Sequence, residues 1–294
     1  MKRRNASHPV VTRMATNRVG DWISDARFRL ARVSDTPGLD AQVLVSHVIN
    51  RSRTWVVAHP EFYLSTKHVS LLQNYLNRCL EGEPLPYLLG HWEFFGLEFD
   101  VNSSVLIPRP ETEQLVEQAL DWLKLHPGIN KALDMGTGSG CIAISLAKNH
   151  PDLEITATDI DINALEVARS NAKKHRVEQN IQFVQSDLFG KVDGTFSLIC
   201  ANLPYIPTLH MAELRVARYE PHSALDGGKD GLDFIKEVII QSRTRVTHPG
   251  LLLLEIDSRQ KEKVMNLVNE FLPTSHAKII YDGNHLPRIM RVEF

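Results

Sequence analysis

Apolar residues change their spacing twice along this chain. From about residue 21 to 83 they recur at helical intervals. Leu71, Leu72, Tyr75, Leu76, Cys79 and Leu80 fall at i, i+1, i+4, i+5, i+8 and i+9, one stripe of an α-helix. Leu39, Val43, Leu44 and Val48 make a second stripe, with Pro37-Gly38 read as the break before it. No strand-like alternation intervenes, so a small helical bundle is expected here.

Glu83-Pro84-Leu85-Pro86 ends that pattern. Residues 91–105 alternate loosely, with Trp92, Phe94, Phe95 and Phe99 among them and Gly96 at a turn position. This predicts a β-hairpin connecting two domains. Arg109-Pro110-Glu111-Thr112-Glu113 then opens a helix. Pro110 suits its first position, and Glu111 and Glu113 suit its positive end.

From Lys131 onward strands and helices alternate. The expected strands are 132–135, 154–159, 181–184, 196–201, 251–256, 278–281 and 289–294; the helices are 141–148, 162–175, 232–245 and 259–272. Such alternation means a largely parallel sheet covered on both faces. The last two strands are joined only by residues 282–288. That is too short for a parallel crossover, so the final strand is expected to be antiparallel. The chain therefore divides into a basic flexible tail (1–20), a helical domain (21–83), a linker with a hairpin (84–109) and an α/β domain (110–294).

Composition narrows the function. The 294 residues are 43% apolar and 23% charged, ordinary globular values, with formal net charge −2. Residues 21–83 hold seven Lys/Arg and seven Asp/Glu. A nucleic-acid reader normally carries a basic face, so balanced charge suits a protein partner better. Cys79, Cys141 and Cys200 are far apart, which argues against a disulfide framework or a zinc site. No apolar stretch is long enough to span a bilayer. Lys2, Arg3, Arg4, Arg13 and Arg18 precede the first acidic residue, Asp21. An organellar transit peptide can look like this, and so can an extension ahead of Met14. Pro9 interrupts any amphipathic helix, so the segment is read as a tail on a cytoplasmic protein.

Two clusters carry candidate chemistry. Asp134-Met135-Gly136-Thr137-Gly138-Ser139-Gly140 lies between a strand and a helix, where the backbone must turn tightly and approach a ligand closely. The spacing is G-x-G-x-G and no phosphate-gripping Lys follows, which excludes a P-loop. Such a loop can also simply pack a helix on a sheet. Asp159 ends the next strand, nineteen positions after Gly140, where a carboxylate can accept both hydroxyls of an adenosyl ribose. Asp161 reads as the N-cap of the following helix. Asp187 lies where an adenine edge would sit, and serves equally as a turn or cap.

The second cluster is Asn202-Leu203-Pro204-Tyr205, after the apolar run 196–201. Asn202 offers a side-chain carbonyl, and Leu203, extended because it precedes a proline, can aim its backbone carbonyl at the same point. Two acceptors can hold both hydrogens of one NH2 group, and Tyr205 can cover the flat face of the substrate. A plain strand-end turn has a similar composition. With the glycine loop, the tetrapeptide points to methylation of an amide or amine nitrogen from S-adenosylmethionine. The thirteen histidines form no metal-spaced cluster, and Ser139 is in no G-x-S-x-G elbow. Arg109 serves equally as a ligand contact or a surface pair.

Three stretches resemble the protein-(glutamine-N5) methyltransferases that modify peptide chain release factors. One runs from Pro86-Tyr87-Leu88-Leu89-Gly90 through Glu93-Phe94-Phe95-Gly96 to Leu106-Ile107-Pro108-Arg109-Pro110-Glu111-Thr112-Glu113. The second is the glycine loop. The third is Ala201-Asn202-Leu203-Pro204-Tyr205-Ile206 with Tyr219-Glu220-Pro221 and Ala224-Leu225-Asp226-Gly227-Gly228. Leu39-Asp40-Ala41 and Arg53-Thr54-Trp55 also look like that family's helical domain. The resemblance implies a class I methyltransferase domain, Rossmann-like with a seven-stranded sheet whose last strand is antiparallel, behind a helical domain that docks the release factor. It implies S-adenosylmethionine contacts from Gly136, Thr137, Gly138, Ser139, Gly140, Asp159, Leu188 and Asn202. Asn202, Leu203, Pro204 and Tyr205 would hold the glutamine of a Gly-Gly-Gln loop. The family usually has Asn-Pro-Pro-Tyr, so Leu203 is a departure; if its backbone carbonyl does the work, the change is mild.

The resulting expectation is a cytoplasmic, monomeric enzyme with no metal, no membrane and no direct nucleic-acid contact. An adenine-N6 methyltransferase acting on nucleic acid shares a similar tetrapeptide and is the alternative. It would have to grip phosphates and an unpaired base. A nicotinamide-dependent dehydrogenase fits the glycine spacing poorly, and a non-catalytic binding domain on this fold is the remaining rival.

Overall fold

The structure is a computed structural model and describes residues 17–294. The described residues form two compact units that divide between Leu88 and Leu89. Most of the basic tail lies outside the described residues. Its end does not: Val19 is fully buried as the first residue of α1 (Val19–Leu30), so the helical unit starts two residues before the expected boundary.

α2 (Pro37–Ile49), α3 (Arg53–Ala58) and α4 (Thr66–Glu81) complete the helical unit, followed by the short α5 (Leu85–Leu89), inside which the unit boundary falls. Pro37-Gly38 is not a break before α2 but its first turn, with Pro at the position where a missing N–H costs nothing. The buried face of α2 is Ala41, Leu44 and Val45, while Leu39 is exposed. On α4 the expected stripe narrows to Leu72, Leu76 and Cys79.

The second unit opens with a hairpin, β1 (His91–Phe94) and β2 (Leu97–Asp100). Phe95 and Gly96 both have positive φ, the two-residue turn that matches strand twist. The Phe95 N–H donates to Glu113 Oε1 at 2.8 Å. The hairpin is no free connector. Phe94 and Phe99 are buried in the core of the α/β unit. α6 (Pro110–Leu125) follows, with Arg109 as N-cap and Pro110 in its first turn.

The sheet then builds from β3 (Lys131–Met135), β4 (Glu154–Asp159), β5 (Ile181–Gln185), β6 (Phe196–Ala201), β7 (Val246–Glu255), β8 (His276–Tyr281) and β9 (Pro287–Glu293). Their order is β5-β4-β3-β6-β7-β9-β8. The first five in chain order are parallel neighbours, and β9 runs antiparallel to both β7 and β8. All seven expected strands form, and the last is antiparallel as the short connection required. β7 starts at Val246 instead of residue 251.

Strand alternation feeds two cores. Leu198, Cys200, Leu251 and Leu253 face one side, with residues of α6, α7 (Cys141–Asn149) and α8 (Ile162–His175). Ile199, Ala201, Leu252 and Leu254 face the other, with α9 (Asp233–Arg245) and α10 (Lys261–Phe271). Burial on both faces explains why these strands read as continuous apolar runs. Among the described residues no helix is long and apolar enough to cross a membrane.

Candidate active site

Register puts the site in one row. Met135 pairs with Thr158 on one side and Ala201 on the other, and Ala201 pairs with Leu254. One residue further, Asp159, Gly136, Asn202 and Glu255 therefore lie side by side at the C-terminal edge. The row crosses the gap between β3 and β6, where strand order reverses, the place where open α/β sheets bind ligands. A cavity opens there. Gly136, Thr137, Gly138, Ser139, Asp159, Leu188, Asn202, Leu203 and Pro204 all line it. Two expected residues do not. Gly140 caps α7, and Tyr205 lies beyond the wall.

The glycine loop is held from below. Asp134 Oδ2 accepts the Thr137 hydroxyl at 2.6 Å and the Ala143 N–H at 3.1 Å, pinning the loop to α7. Burial pushes the Asp134 carboxyl up to about 6. Gly140 is used for packing: at φ +82 a Cβ would meet Ile144 Cδ1 at 2.9 Å and Ala168 Cβ at 3.2 Å. Gly138 differs, because a Cβ there would meet nothing within 4 Å.

Asp159 closes the loop on its other side. Its Oδ2 accepts the Gly138 N–H at 2.9 Å and its Oδ1 the Asp161 N–H at 3.0 Å. A carboxylate has about four acceptor sites, so capacity for a diol remains. Burial raises its pKa. Asp161 caps α8 through the Asn163 N–H, as its position predicted. Beside them Ile160, 56% exposed, and Leu188, at φ +46, give the cavity an apolar rim. Asp187 also lines the cavity.

The tetrapeptide is the end of a hydrogen-bond chain. Asn202 Nδ2 donates to Thr112 Oγ1 at 3.0 Å, and Thr112 donates to Glu255 Oε2 at 2.6 Å. Tyr205 OH lies 3.4 Å from Glu255 Oε1, a long contact. Burial pushes Glu255 up to about 7 and holds the Tyr205 phenol above its ordinary range. The loop behind presses close: a Cβ on Gly227 would sit 2.5 Å from the Pro204 carbonyl oxygen. Gln260 Nε2 donates to the carbonyls of Tyr205 and Gly231, both at 3.0 Å. Arg109 lines the cavity, and its Nη2 donates to both oxygens of the buried Glu220 at 2.7 Å. It thus joins two of the three stretches singled out in the sequence.

Two family models match this chain, the PrmC N-terminal domain over residues 21–90 and the Methyltransferase small domain over residues 112–218. A release factor glutamine methyltransferase of Coxiella burnetii is 39% identical over 241 residues, 82% of this chain and 86% of that protein. That of Escherichia coli K12 is 40% identical over 248 residues, 83% and 87%. The chain belongs to the release factor glutamine methyltransferase family. Among solved structures, the hMettl16 catalytic domain in complex with MAT2A 3′UTR hairpin 6 superposes with a TM-score of 0.55. It is 16% identical and covers 76% of this chain and 81% of its own, a likeness of fold.

Release factor glutamine methyltransferases take S-adenosylmethionine, and the cavity fits it. The free space over Gly138, the spare acceptor sites of Asp159 and the apolar rim of Ile160 and Leu188 suit a nucleoside bearing a diol. Sequence reasoning about this family member missed Glu255, Ile160 and Asn171, and gave Thr112 no role. Asn171, fully buried on α8, bonds both backbone groups of Asp100 and the Ser139 carbonyl, tying hairpin to glycine loop. The available signal was a polar residue on a face whose spacing demands apolar ones.

Proposed function

We propose that this protein methylates N5 of the glutamine in the Gly-Gly-Gln loop of peptide chain release factors. The observation that carries the reading is the Asn202 amide. It stands on the cavity wall next to the glycine loop, its nitrogen committed to Thr112. Bound S-adenosylmethionine supplies an electrophilic methyl on a sulfonium. Gly136, Thr137, Gly138, Ser139, Asp159 and Leu188 hold it, with Gly140 fixing the helix behind.

Asn202 Oδ1 and the Leu203 carbonyl accept the two N–H groups of the glutamine amide. An amide nitrogen is a weak nucleophile because its lone pair is delocalised. Holding both hydrogens keeps electron density on nitrogen and aims it; positioning of this kind supplies several kcal/mol, up to about 7–11 in model reactions. The alkylated nitrogen then loses its proton readily, so no strong base is needed. Pro204 stiffens the turn, and Tyr205 contributes from behind the wall. The helical unit docks the release factor: its charge is balanced, and Phe28, Val57 and Tyr63 leave 76%, 56% and 63% of their surface exposed. The enzyme works as a cytoplasmic monomer without direct nucleic-acid contact.

Incubation with S-adenosylmethionine and release factor, followed by mass spectrometry of the Gly-Gly-Gln peptide, is expected to find one added methyl on glutamine. Asn202→Ala is expected to abolish it while keeping the fold. An unmodified glutamine with folded enzyme refutes the reading; near-normal activity of Asn202→Ala refutes the role of that residue.

A further inference from the structure

An asparagine side chain has an acceptor end and a donor end of nearly the same shape, and only one is useful here. A substrate NH2 needs acceptors; the Asn202 Nδ2 presented to it would set donor against donor. Something must fix which end faces the cavity. The chain behind Asn202 does so by elimination. A carboxylate only accepts, so Thr112, 2.6 Å from Glu255 Oε2, spends its one hydrogen on Glu255. The Thr112 oxygen is then an acceptor toward Asn202, 3.0 Å away, and only Nδ2 can fill that place. The Oδ1 end is left free.

We propose that Thr112 and Glu255 are positioning residues that fix the Asn202 amide with Oδ1 toward the substrate nitrogen. The inference rests on the reading of Asn202 as substrate acceptor. Glu255 is 3% exposed and does not line the cavity, so it acts through Thr112 and does not touch substrate. Thr112 is 2% exposed and sits in the first turn of α6, a rigid mount.

The charge on Glu255 is what gives the chain its direction. A protonated carboxyl group can donate to Thr112, whose hydroxyl then turns to Asn202 and prefers Oδ1. Both amide orientations become available. The groups facing Glu255 are Glu111 and Thr112 from α6, Tyr205 from the tetrapeptide, Arg288 from β9 and Cys141 from α7. Burial and Glu111 raise its pKa, and Thr112, Tyr205 and Arg288 lower it, leaving it at about 7. Glu255 is therefore ionised above neutrality and loses that state as pH falls. The Cys141 thiol, pushed up to about 12, stays neutral.

The test measures single-turnover methylation at saturating cofactor and release factor, with S-adenosylhomocysteine affinity as a check on the site. Thr112→Val is expected to lower the rate at least about tenfold, the worth of one well-placed hydrogen bond, with affinity for cofactor product and release factor held within about threefold. Thr112→Ser restores most of the rate. Wild-type rate rises with pH through about 7, following Glu255. Glu255→Gln, which like the protonated acid can point a donor or an acceptor at Thr112, is flat with pH at the wild-type acid level. A Thr112→Val rate within about threefold of wild type, or a Glu255→Gln profile that keeps the acid limb, overturns the proposal. So does a loss confined to KM. If Thr112→Val does not fold, the Thr112→Ser rate and the Glu255→Gln profile decide. A wild-type enzyme that modifies no glutamine refutes the function itself and is recognised before any variant is compared.

Discussion

Two alanine substitutions in the glycine loop separate its architectural role from its ligand role. Gly138 and Gly140 both have left-handed backbones, at φ +53 and +82. An alanine in that region costs about 1–2 kcal/mol, partly offset by about 0.4–1 kcal/mol because it restricts the unfolded chain. For Gly138 that is the whole cost, because a Cβ meets nothing within 4 Å. The expected loss of stability is about 1 kcal/mol. At Gly140 the same Cβ meets Ile144 Cδ1 at 2.9 Å and Ala168 Cβ at 3.2 Å. The first can rotate away; the second is fixed to its helix. Overpacking of this kind adds about 1–3 kcal/mol, for a total of about 2–4.

Binding is affected in the opposite order. The methyl at Gly138 enters the cavity space proposed for the cofactor, so affinity for S-adenosylhomocysteine is expected to fall at least tenfold, about 1.4 kcal/mol. At Gly140 the methyl points into packing, and affinity per folded molecule changes less. Urea unfolding gives the two stability losses and isothermal calorimetry the two affinities. If Gly138→Ala binds like wild type, or is the more destabilised of the pair, the division of labour within the loop is wrong.

Arg109→Ala removes the charged partner that the buried Glu220 carboxylate has among the described residues and is expected to cost about 3 kcal/mol at pH 8. Burial already raises the Glu220 pKa against the pull of Arg109, and losing Arg109 raises it further; the folded mutant gains a proton more readily, so its deficit shrinks as pH falls toward the ordinary value of 4.5. A deficit that does not vary with pH in urea titrations rules this out. Leu203→Ala is expected to cost about 2–3 kcal/mol and slow methyl transfer, because the 5%-exposed Leu203 side chain packs under the glycine loop; a stability change below about 0.5 kcal/mol would return its role to the backbone carbonyl alone.

The elements with strong local periodicity were legible in the sequence. Inside the sheet, β6 and the second half of β7 are buried on both faces and appear as apolar runs, while the edge strands β5 and β8 are half-exposed, and α10 carries its apolar stripe openly. The hairpin was legible as a hairpin but not as part of the core. Alternation shows that one face of β1 and β2 is apolar, not which surface covers it; Phe94 and Phe99 are covered by the α/β unit. On α2 the stripe read from the bulkiest residues holds in part: Leu44 is fully buried and Val43 and Val48 are half-buried, while Leu39 is exposed. The buried positions of α2 include the small Ala41 and Val45, which a reading by bulk passes over. Leu203 is a similar case: its sequence context suggested a backbone role, while its side chain reaches within 3.1 Å of where a Gly136 Cβ would stand.

The polar pairs behind the site were not legible, because they join distant segments. Thr112 and Glu255 are 143 positions apart, Arg109 and Glu220 are 111, and Asn171 and Asp100 are 71. No local pattern can pair them. The first and the last of these pairs nevertheless leave a local trace. Thr112 shares the buried face of α6 with Leu115, Val116 and Ala119; Asn171 shares that of α8 with Ala164, Ala168 and Ala172; Glu255 ends the run Leu251 to Leu254. Burying a polar group without a partner costs about 1–3 kcal/mol, so a polar residue on a face that spacing assigns to the core implies a partner elsewhere. Here those residues bond to the hairpin, the glycine loop or the tetrapeptide. The reason is physical: the site stands on loops past the strand ends, where the sheet's own hydrogen bonds have stopped. Side chains rising from the core add to the few backbone bonds that hold such loops, such as the Thr137 N–H to the Thr158 carbonyl at 2.8 Å. A polar interruption of a core-facing period thus points to the parts that orient a site even when their partners cannot be named.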